Sequence, residues 1–274
     1  MFKIKGKIID SSSRLVMGIL NLTPDSFFAG SRQAGATQLL QSAEKMILEG
    51  TDMLDLGAVS TRPGAVKVAE EAEFERLIPA VKLLAKHFPD VIFSVDTWRS
   101  NIAKAAVDEG ADVVNDISAG VFDPKMLDFI ASQDIPYIIM HIEGTPETMQ
   151  IKPIENRVID VVNTFLTQRI SMLEALGASR IIADPGFGFG KSLQSNFELL
   201  QKLDTIRVKD YPLLVGLSRK SMIYKYFNST PEDALNGTTA LNMAALFKGA
   251  NILRVHDVKE AKETVKLYNM LQQD

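Results

Sequence analysis

Eight short apolar runs along the chain end in side chains with chemistry to offer. These ends carry Asn21, Asp55, Asp96-Thr97, Asn115-Asp116, His141, Asp184, Ser218-Arg219-Lys220 and Arg254-Val255-His256. Asp96, Asn115 and Asp184 supply carboxylate and amide groups, and Lys220 adds an ammonium donor. Together they can read the donor and acceptor edge of a flat, nitrogen-rich heterocycle. Met140 and Phe189 can face such a ring, although core packing explains Met140 as well. Arg254 and His256 stand two apart, so on a strand their side chains share a face. With Asn21 they suit a phosphate-type anion, with or without a divalent ion. Each residue alone also has an ordinary explanation. Asp and Asn cap helices often, and His256 can do so too.

The runs that must hold these residues are RLVMGILNLT, TDMLDLGA, VIFSVDT, ADVVNDIS, IPYIIMH, RIIADPG, PLLVGLS and NILRVHD. Between them lie segments such as ATQLLQSAEKMILEG, EAEFERLIPAVKLLAKHF, SNIAKAAVDEG and RVIDVVNTFLTQRISMLEALG. Their apolar residues recur every three or four positions, which gives a helix one buried face. Gly50, Gly110, Gly177 and Gly249 follow helical segments and suit a C-cap, where positive φ is needed. Strands alternating with helices imply βαβ units and a parallel sheet. Near-continuous apolar strands imply burial on both faces. Eight such units in 274 residues fit a closed α/β fold, a (β/α)8 TIM barrel, better than an open sheet. The opening FKIKGKIID alternates and is expected to form a short β-hairpin closing the barrel bottom. No linker interrupts the chain, so residues 1–274 are expected to form a single domain. In such a barrel the polar strand ends converge on one rim, where active sites of this fold lie.

Hydrophobic residues make up 46% of the chain, the net charge is −4, and there is no cysteine. The charge leaves no footprint for nucleic acid or an anionic membrane. The lack of cysteine excludes disulfides and thiolate zinc sites. MFKIKGKIID lacks the apolar run of a signal peptide, and no run of about 18 apolar residues suggests a membrane span, so a cytoplasmic location is expected. The stretch IIADPGFGFGKS, Ile181 to Ser192, ends like a phosphate-binding loop. A P-loop needs Gly, four residues, then Gly-Lys-Ser/Thr, and Pro185 stands where the first Gly belongs. The dinucleotide pattern fails too, because Gly186, Gly188 and Gly190 alternate. TPDSFFAGSRQAG and AVSTRPGAVKVAEEAE follow the first two strands and read as function-bearing loops, with Pro, Gly and Ser/Thr in both. The acids of EEAEF suit a helix N-terminus, which leaves Arg62 without a structural account. His87 reads as a surface residue, and Trp98 as packing under the rim.

NLTPDSFFAG, DLGAVSTRPGA, SVDTWR, VVNDISAG, IIMHIEGTPETMQ, IADPGFGFGKS, VGLSRKS and ILRVHD follow one another along the whole chain. In this combination the sequence resembles the dihydropteroate synthases, a family of pterin-binding (β/α)8 barrels. The resemblance makes DPGFGFGKS the pterin-side loop after strand six. It implies condensation of 7,8-dihydropterin-6-ylmethyl diphosphate with 4-aminobenzoate, giving 7,8-dihydropteroate and diphosphate in folate biosynthesis. It implies pterin contacts from Asp96, Asn115, Met140, Asp184, Phe189 and Lys220. It implies diphosphate contacts from Asn21, Arg62, Arg254 and His256, with Mg2+ at Asn21. The aminobenzoate side falls to Asp25, Phe27, Thr61, Arg62, Phe189 and Ser221, and Arg219 helps shape the pocket. Asp96, Asp184, Lys220, Arg254 and His256 form the expected catalytic set. A homodimer is the implied assembly. The sequence departs from the family's frequent residues at Phe28, Val59 and Glu143, none of them in the pterin set. A methyltransferase acting on methyltetrahydrofolate would share the barrel and the pterin pocket. It has little reason to keep TPDSF, STRPG, SRKS and RVHD together.

Overall fold

The computed structural model describes residues 1–22, 32–59, 68–206 and 208–272. The chain opens with two short antiparallel strands, β1 (Phe2–Ile4) and β2 (Lys7–Ile9). Eight longer-range partners follow: β3 (Leu15–Asn21), β4 (Met53–Gly57), β5 (Ile92–Asp96), β6 (Val113–Asp116), β7 (Tyr137–Met140), β8 (Ile181–Asp184), β9 (Leu214–Val215) and β10 (Ile252–Val255). They form one sheet in the order β8-β7-β6-β5-β4-β3-β10-β9. All its pairings are parallel. A parallel bridge between Ala183 and Leu213 joins the two ends and closes the ring.

Helices return the chain between strands: α1 (Arg32–Leu48), α2 (Glu70–His87), α3 (Ser100–Asp108), α4 (Lys125–Gln133), α5 (Val158–Ala175), α6 (Leu193–Gln201), α7 (Ser221–Tyr224), α8 (Leu235–Phe247) and α9 (Val258–Leu271). Gly50, Gly110, Gly177 and Gly249 end α1, α3, α5 and α8 with φ of 92°, 110°, 90° and 97°, as the C-cap pattern implies. His87 is exposed. Among the described residues no helix is long and apolar enough to cross a membrane.

Successive residues of a strand point to opposite faces. Outward-facing Val16, Leu54, Phe93, Val114, Ile139, Ala183, Val215 and Leu253 join the helices in the main core. Inward-facing Met17, Met53, Ile92, Val113, Ile138, Ile182, Leu214 and Ile252 form a second core at the barrel bottom. Ile4 and Ile9 of the hairpin, with Leu15, seal it. Two residues further along each strand, the same face carries Ile19, Asp55, Ser94, Asn115, Met140, Asp184, Gly216 and Arg254. The lumen therefore changes from an apolar plug to a polar floor within about 6.6 Å of strand rise.

Ile9 is fully buried in this plug. Ile9→Ala is expected to destabilise the protein by about 2–5 kcal/mol, the usual cost of such a cavity. Urea unfolding checks this, and a loss well below that range would show that the hairpin is not part of the barrel core.

Candidate active site

The polar floor is organised by Arg254. From β10 its Nε donates to Asp55 Oδ2 at 2.7 Å, and its Nη2 donates to Asp96 Oδ2 at 2.9 Å. Asp55 is fully buried and also accepts the Asn115 Nδ2 hydrogen at 3.0 Å. That bond uses one of the two amide hydrogens of Asn115 and leaves its oxygen as an acceptor. Asp184, from β8, accepts the Gly186 N–H through Oδ1 at 2.7 Å. Lys220 precedes α7, donates to the Phe187 carbonyl, and sits 4.3 Å from the centroid of the Phe189 ring. Met140 is buried beside Ile117, Ile142 and Met149, with Trp98, Phe122 and Phe189 against the same cluster. Met140 thus packs in a core and borders the site at once. Trp98, expected under the rim, belongs to this rim cluster and meets Phe122 edge-on at 6.1 Å.

The other expected anion contacts lie around this centre. Asn21 is exposed at the end of β3. A Cβ on Gly57 would stand 3.8 Å from both Asn21 Oδ1 and Asp96 Oδ2, so the amide oxygen and the carboxylate flank one space. His256 Nδ1 pairs with Ser218 Oγ at 3.0 Å. Asp257, not His256, takes the N-cap position of α9. Arg219 has a left-handed φ of 53°. Its guanidinium clamps both Asp257 oxygens at 2.8 Å and binds the carbonyls of Pro231 and Glu232. It fixes the turn that presents Lys220, and Ser221 opens α7 beside it. Asp25, Phe27, Phe28, Thr61 and Arg62 lie outside the described residues. Val59 is half-buried and Glu143 is exposed.

Strand alternation sends three of the rim residues outward. Thr97 donates to Glu73 Oε1 at 2.6 Å. Asp116 accepts from Ser118, Gly120 and the Tyr137 hydroxyl. His141 pairs with Lys191. Glu73, read as an acid that merely opens a helix, is instead fully buried and ion-paired to Arg99. Asp55 stood among the strand ends without a role. Its inward parity, two residues after Met53, is the signal that marks it.

Burial dominates the electrostatics. It pushes Asp96 up to about 7, against the opposing pull of Arg254 and with help from Asp55, Asp116 and Asp184. Burial raises Asp184 as well, partly offset by Lys220. Burial brings Lys220 down to about 8, with Asp184 opposing. For Arg254 burial acts to lower the pKa, but Asp55 and Asp96 win and raise it. The result is a ring of acceptors and one ammonium facing a half-apolar space, suited to a heterocycle that bears several N–H groups.

Between about pH 4 and pH 7 the folded chain holds a proton on Asp96 that the unfolded chain releases. Stability should therefore fall as pH rises through that window. Asp96→Asn is expected to reduce the slope by up to ~1.4 kcal/mol per pH unit, the value for one proton. Urea melts across the window check this, and an unchanged slope would place the retained proton on another group.

Residues 17–256 match the family described as pterin binding enzymes. The chain is 40% identical over 265 residues to the dihydropteroate synthase of Escherichia coli (strain K12), covering 96% of this chain and 93% of that one. The crystal structure of Yersinia pestis dihydropteroate synthase with a sulfonamide drug superposes with a TM-score of 0.91 at 38% identity, covering 99% of this chain and 98% of that one. The Burkholderia cenocepacia dihydropteroate synthase complexed with 7,8-dihydropteroate superposes with a TM-score of 0.84 at 36% identity, covering 95% of this chain and 92% of that one. With the barrel, its polar floor and these similarities in agreement, the chain belongs to the pterin-binding enzymes and, within them, to the dihydropteroate synthases, transferases of folate biosynthesis.

Proposed function

We propose that Asp96, Asn115, Asp184 and Lys220 hold the dihydropterin ring, and that Arg254, His256 and Asn21 hold its diphosphate. The observation that carries this reading is the convergence of three acceptor groups and Lys220 beside Met140 and Phe189, with Arg254 among the carboxylates. The dihydropteroate complex of the Burkholderia cenocepacia relative supports it.

In the reaction, the C–O bond between the pterin methylene and diphosphate breaks, and its electron pair leaves with diphosphate. The amine of 4-aminobenzoate forms the new C–N bond and then loses a proton to solvent. Asp184 and Asp96, held in a dry pocket, stabilise positive charge that develops on the pterin. An aromatic amine is already neutral near pH 7, so the chain need not supply a strong base. Phe189 and Ser221 border the aminobenzoate, with Asp25, Phe27, Thr61 and Arg62 from the two loops completing that side. The same opening is proposed to take a sulfonamide; the Yersinia pestis relative forms a complex with a sulfonamide drug.

Asn21 offers one amide oxygen beside Asp96, and among the described residues no cluster of three acidic, His or Cys ligands stands ready to hold a metal. Such a site suits Mg2+, which keeps water and substrate phosphates as most of its ligands. When bound, the ion would neutralise charge on the leaving diphosphate. A homodimer in the cytoplasm is the proposed assembly and location, and light scattering on the purified chain tests the first.

Diphosphate release is expected only when both the pterin diphosphate and 4-aminobenzoate are present. Release with the pterin substrate alone, or none with both, would refute the assignment. Asp184→Ala should lose about 1.5–3 kcal/mol of pterin binding, the range for a hydrogen bond to a charged group. Calorimetry showing unchanged pterin affinity would remove Asp184 from the pterin site.

A further inference from the structure

The Gly-Lys-Ser that closes the glycine loop is left over by the pterin site. Ser192 caps α6, accepting the Ser195 N–H at 3.1 Å. Lys191 turns inward and is only 3% exposed. Its Nζ donates to the carbonyls of Gly186 at 2.7 Å, Phe189 at 3.1 Å and His141 at 3.3 Å, and meets His141 Nδ1 at 2.9 Å. With Lys191 donating in this contact, His141 accepts at Nδ1 and carries its own proton on Nε2. Burial, then the Lys191 charge, pushes His141 down to about 3, which keeps the ring neutral. Burial pushes Lys191 down to about 7; Asp184 and Glu143 favour its charge through space, Lys220 disfavours it, and its direct partners are dipoles. Burying a charge in this way is expensive. The contacts it makes must hold something that matters.

What they hold is a loop without regular structure. Gly186 and Gly190 have φ of 72° and 68°, and a Cβ on them would fall 1.9 Å from the His141 oxygen and 2.5 Å from Glu143 Cβ. The loop therefore lies flat on residues 141–143. Its successive carbonyls are taken one by one. Lys191 takes those of Gly186 and Phe189, Lys220 takes that of Phe187, and Gln150 Nε2 donates to that of Gly188 at 3.2 Å. The backbone at Phe189 is thus fixed from beneath by Lys191, while its ring meets Lys220 above.

We infer that Lys191 is a positioning residue: it locks the 186–190 loop so that Phe189 stands beside Lys220 as a wall of the aminobenzoate side. The inference rests on the proposal that Phe189 borders 4-aminobenzoate. Lys191→Met keeps most of the length of the side chain and removes its charge and donors. In this variant the KM for 4-aminobenzoate is expected to rise at least tenfold, and the Kd for the pterin diphosphate, which shares Phe189 and Lys220, to rise by less than half as much. Hydrogen exchange at the amides of residues 186–190 should accelerate at least tenfold, with the barrel strands unchanged. Because the chain has no cysteine, Lys191→Cys can be aminoethylated under denaturant and refolded, which restores an ammonium at the same reach. That treatment is expected to return the aminobenzoate KM to within threefold of the unaltered protein. Should Lys191→Met not fold, Lys191→Gln gives the same readouts with weaker donors.

Unchanged loop exchange in a folded variant overturns the lock. An equal rise in both substrate constants, unrescued by aminoethylation, makes Lys191 a general prop and overturns the inference too. Faster loop exchange with an unaltered aminobenzoate KM would remove Phe189 from the aminobenzoate side, so that failure of the underlying reading is told apart from failure of the lock.

Discussion

A guanidinium that crosses the barrel lumen is the interaction on which the site depends. Asp55 and Asp96 sit on β4 and β5, and Arg254 reaches them from β10 on the far side of β3. Burial in so dry a place drives Asp96 toward protonation, and the neighbouring Asp55 carboxylate adds to it. The planar fork of arginine serves both acids at once, which the point charge of a lysine would not do with the same geometry. Such a cluster adds little net stability, but removing one partner leaves a buried charge and costs about 3–5 kcal/mol. It also makes register obligatory. A one-residue slip of β10 would turn Arg254 out of the lumen and Leu253 in. Ring closure and the charged floor therefore require each other.

The same two-residue period explains how much of the molecule was legible from its sequence. Helix spacing, capping glycines and apolar runs are local patterns, and each gave an element where the structure has one. The hairpin was legible because FKIKGKIID alternates, and its inward Ile4 and Ile9 found the barrel bottom. Parity also separates neighbours at the strand ends. Within Asp96-Thr97 and Asn115-Asp116 the first residue faces the lumen and the second faces the helices. Grouping both as rim residues mixes a substrate-facing set with a set that ties down loops. Counting in twos from the apolar plug separates them, and it marks Asp55 as part of the floor.

Other parts had no local signal. Glu73 looks like any acid in the first turn of a helix, and only tertiary packing brings it to Thr97 and Arg99. Arg99 in turn binds the Val68 carbonyl at 2.8 Å, so this buried pair anchors the end of the second loop against β5. Lys191 escaped for a related reason. Its partners are mostly backbone carbonyls, which every residue possesses and no sequence pattern announces. The resemblance to a P-loop came from glycine and lysine side by side. Here the glycines let the loop lie on a neighbouring strand end, and the lysine holds it down from inside rather than facing a phosphate.

Charge balance in the floor bears on how a diphosphate can be accommodated. Asp55, Asp96 and Asp184 face Arg254 and Lys220 there. On the proposed reading, ring N–H groups donate to Asp96 and Asp184, which favours their ionised forms and releases the proton that burial had kept on Asp96. Arg254 is then matched by carboxylates on both sides, through Nε and Nη2. A diphosphate arriving beside it brings further negative charge that this arginine alone cannot balance. The compensation has to come from the mouth of the barrel, where Asn21 and His256 stand at the ends of neighbouring strands. An amide oxygen there is a poor anion ligand and a good ligand for a hard cation. On the proposed reading, the neutral Asn21 leaves room there for a divalent ion as counter-charge to the leaving group.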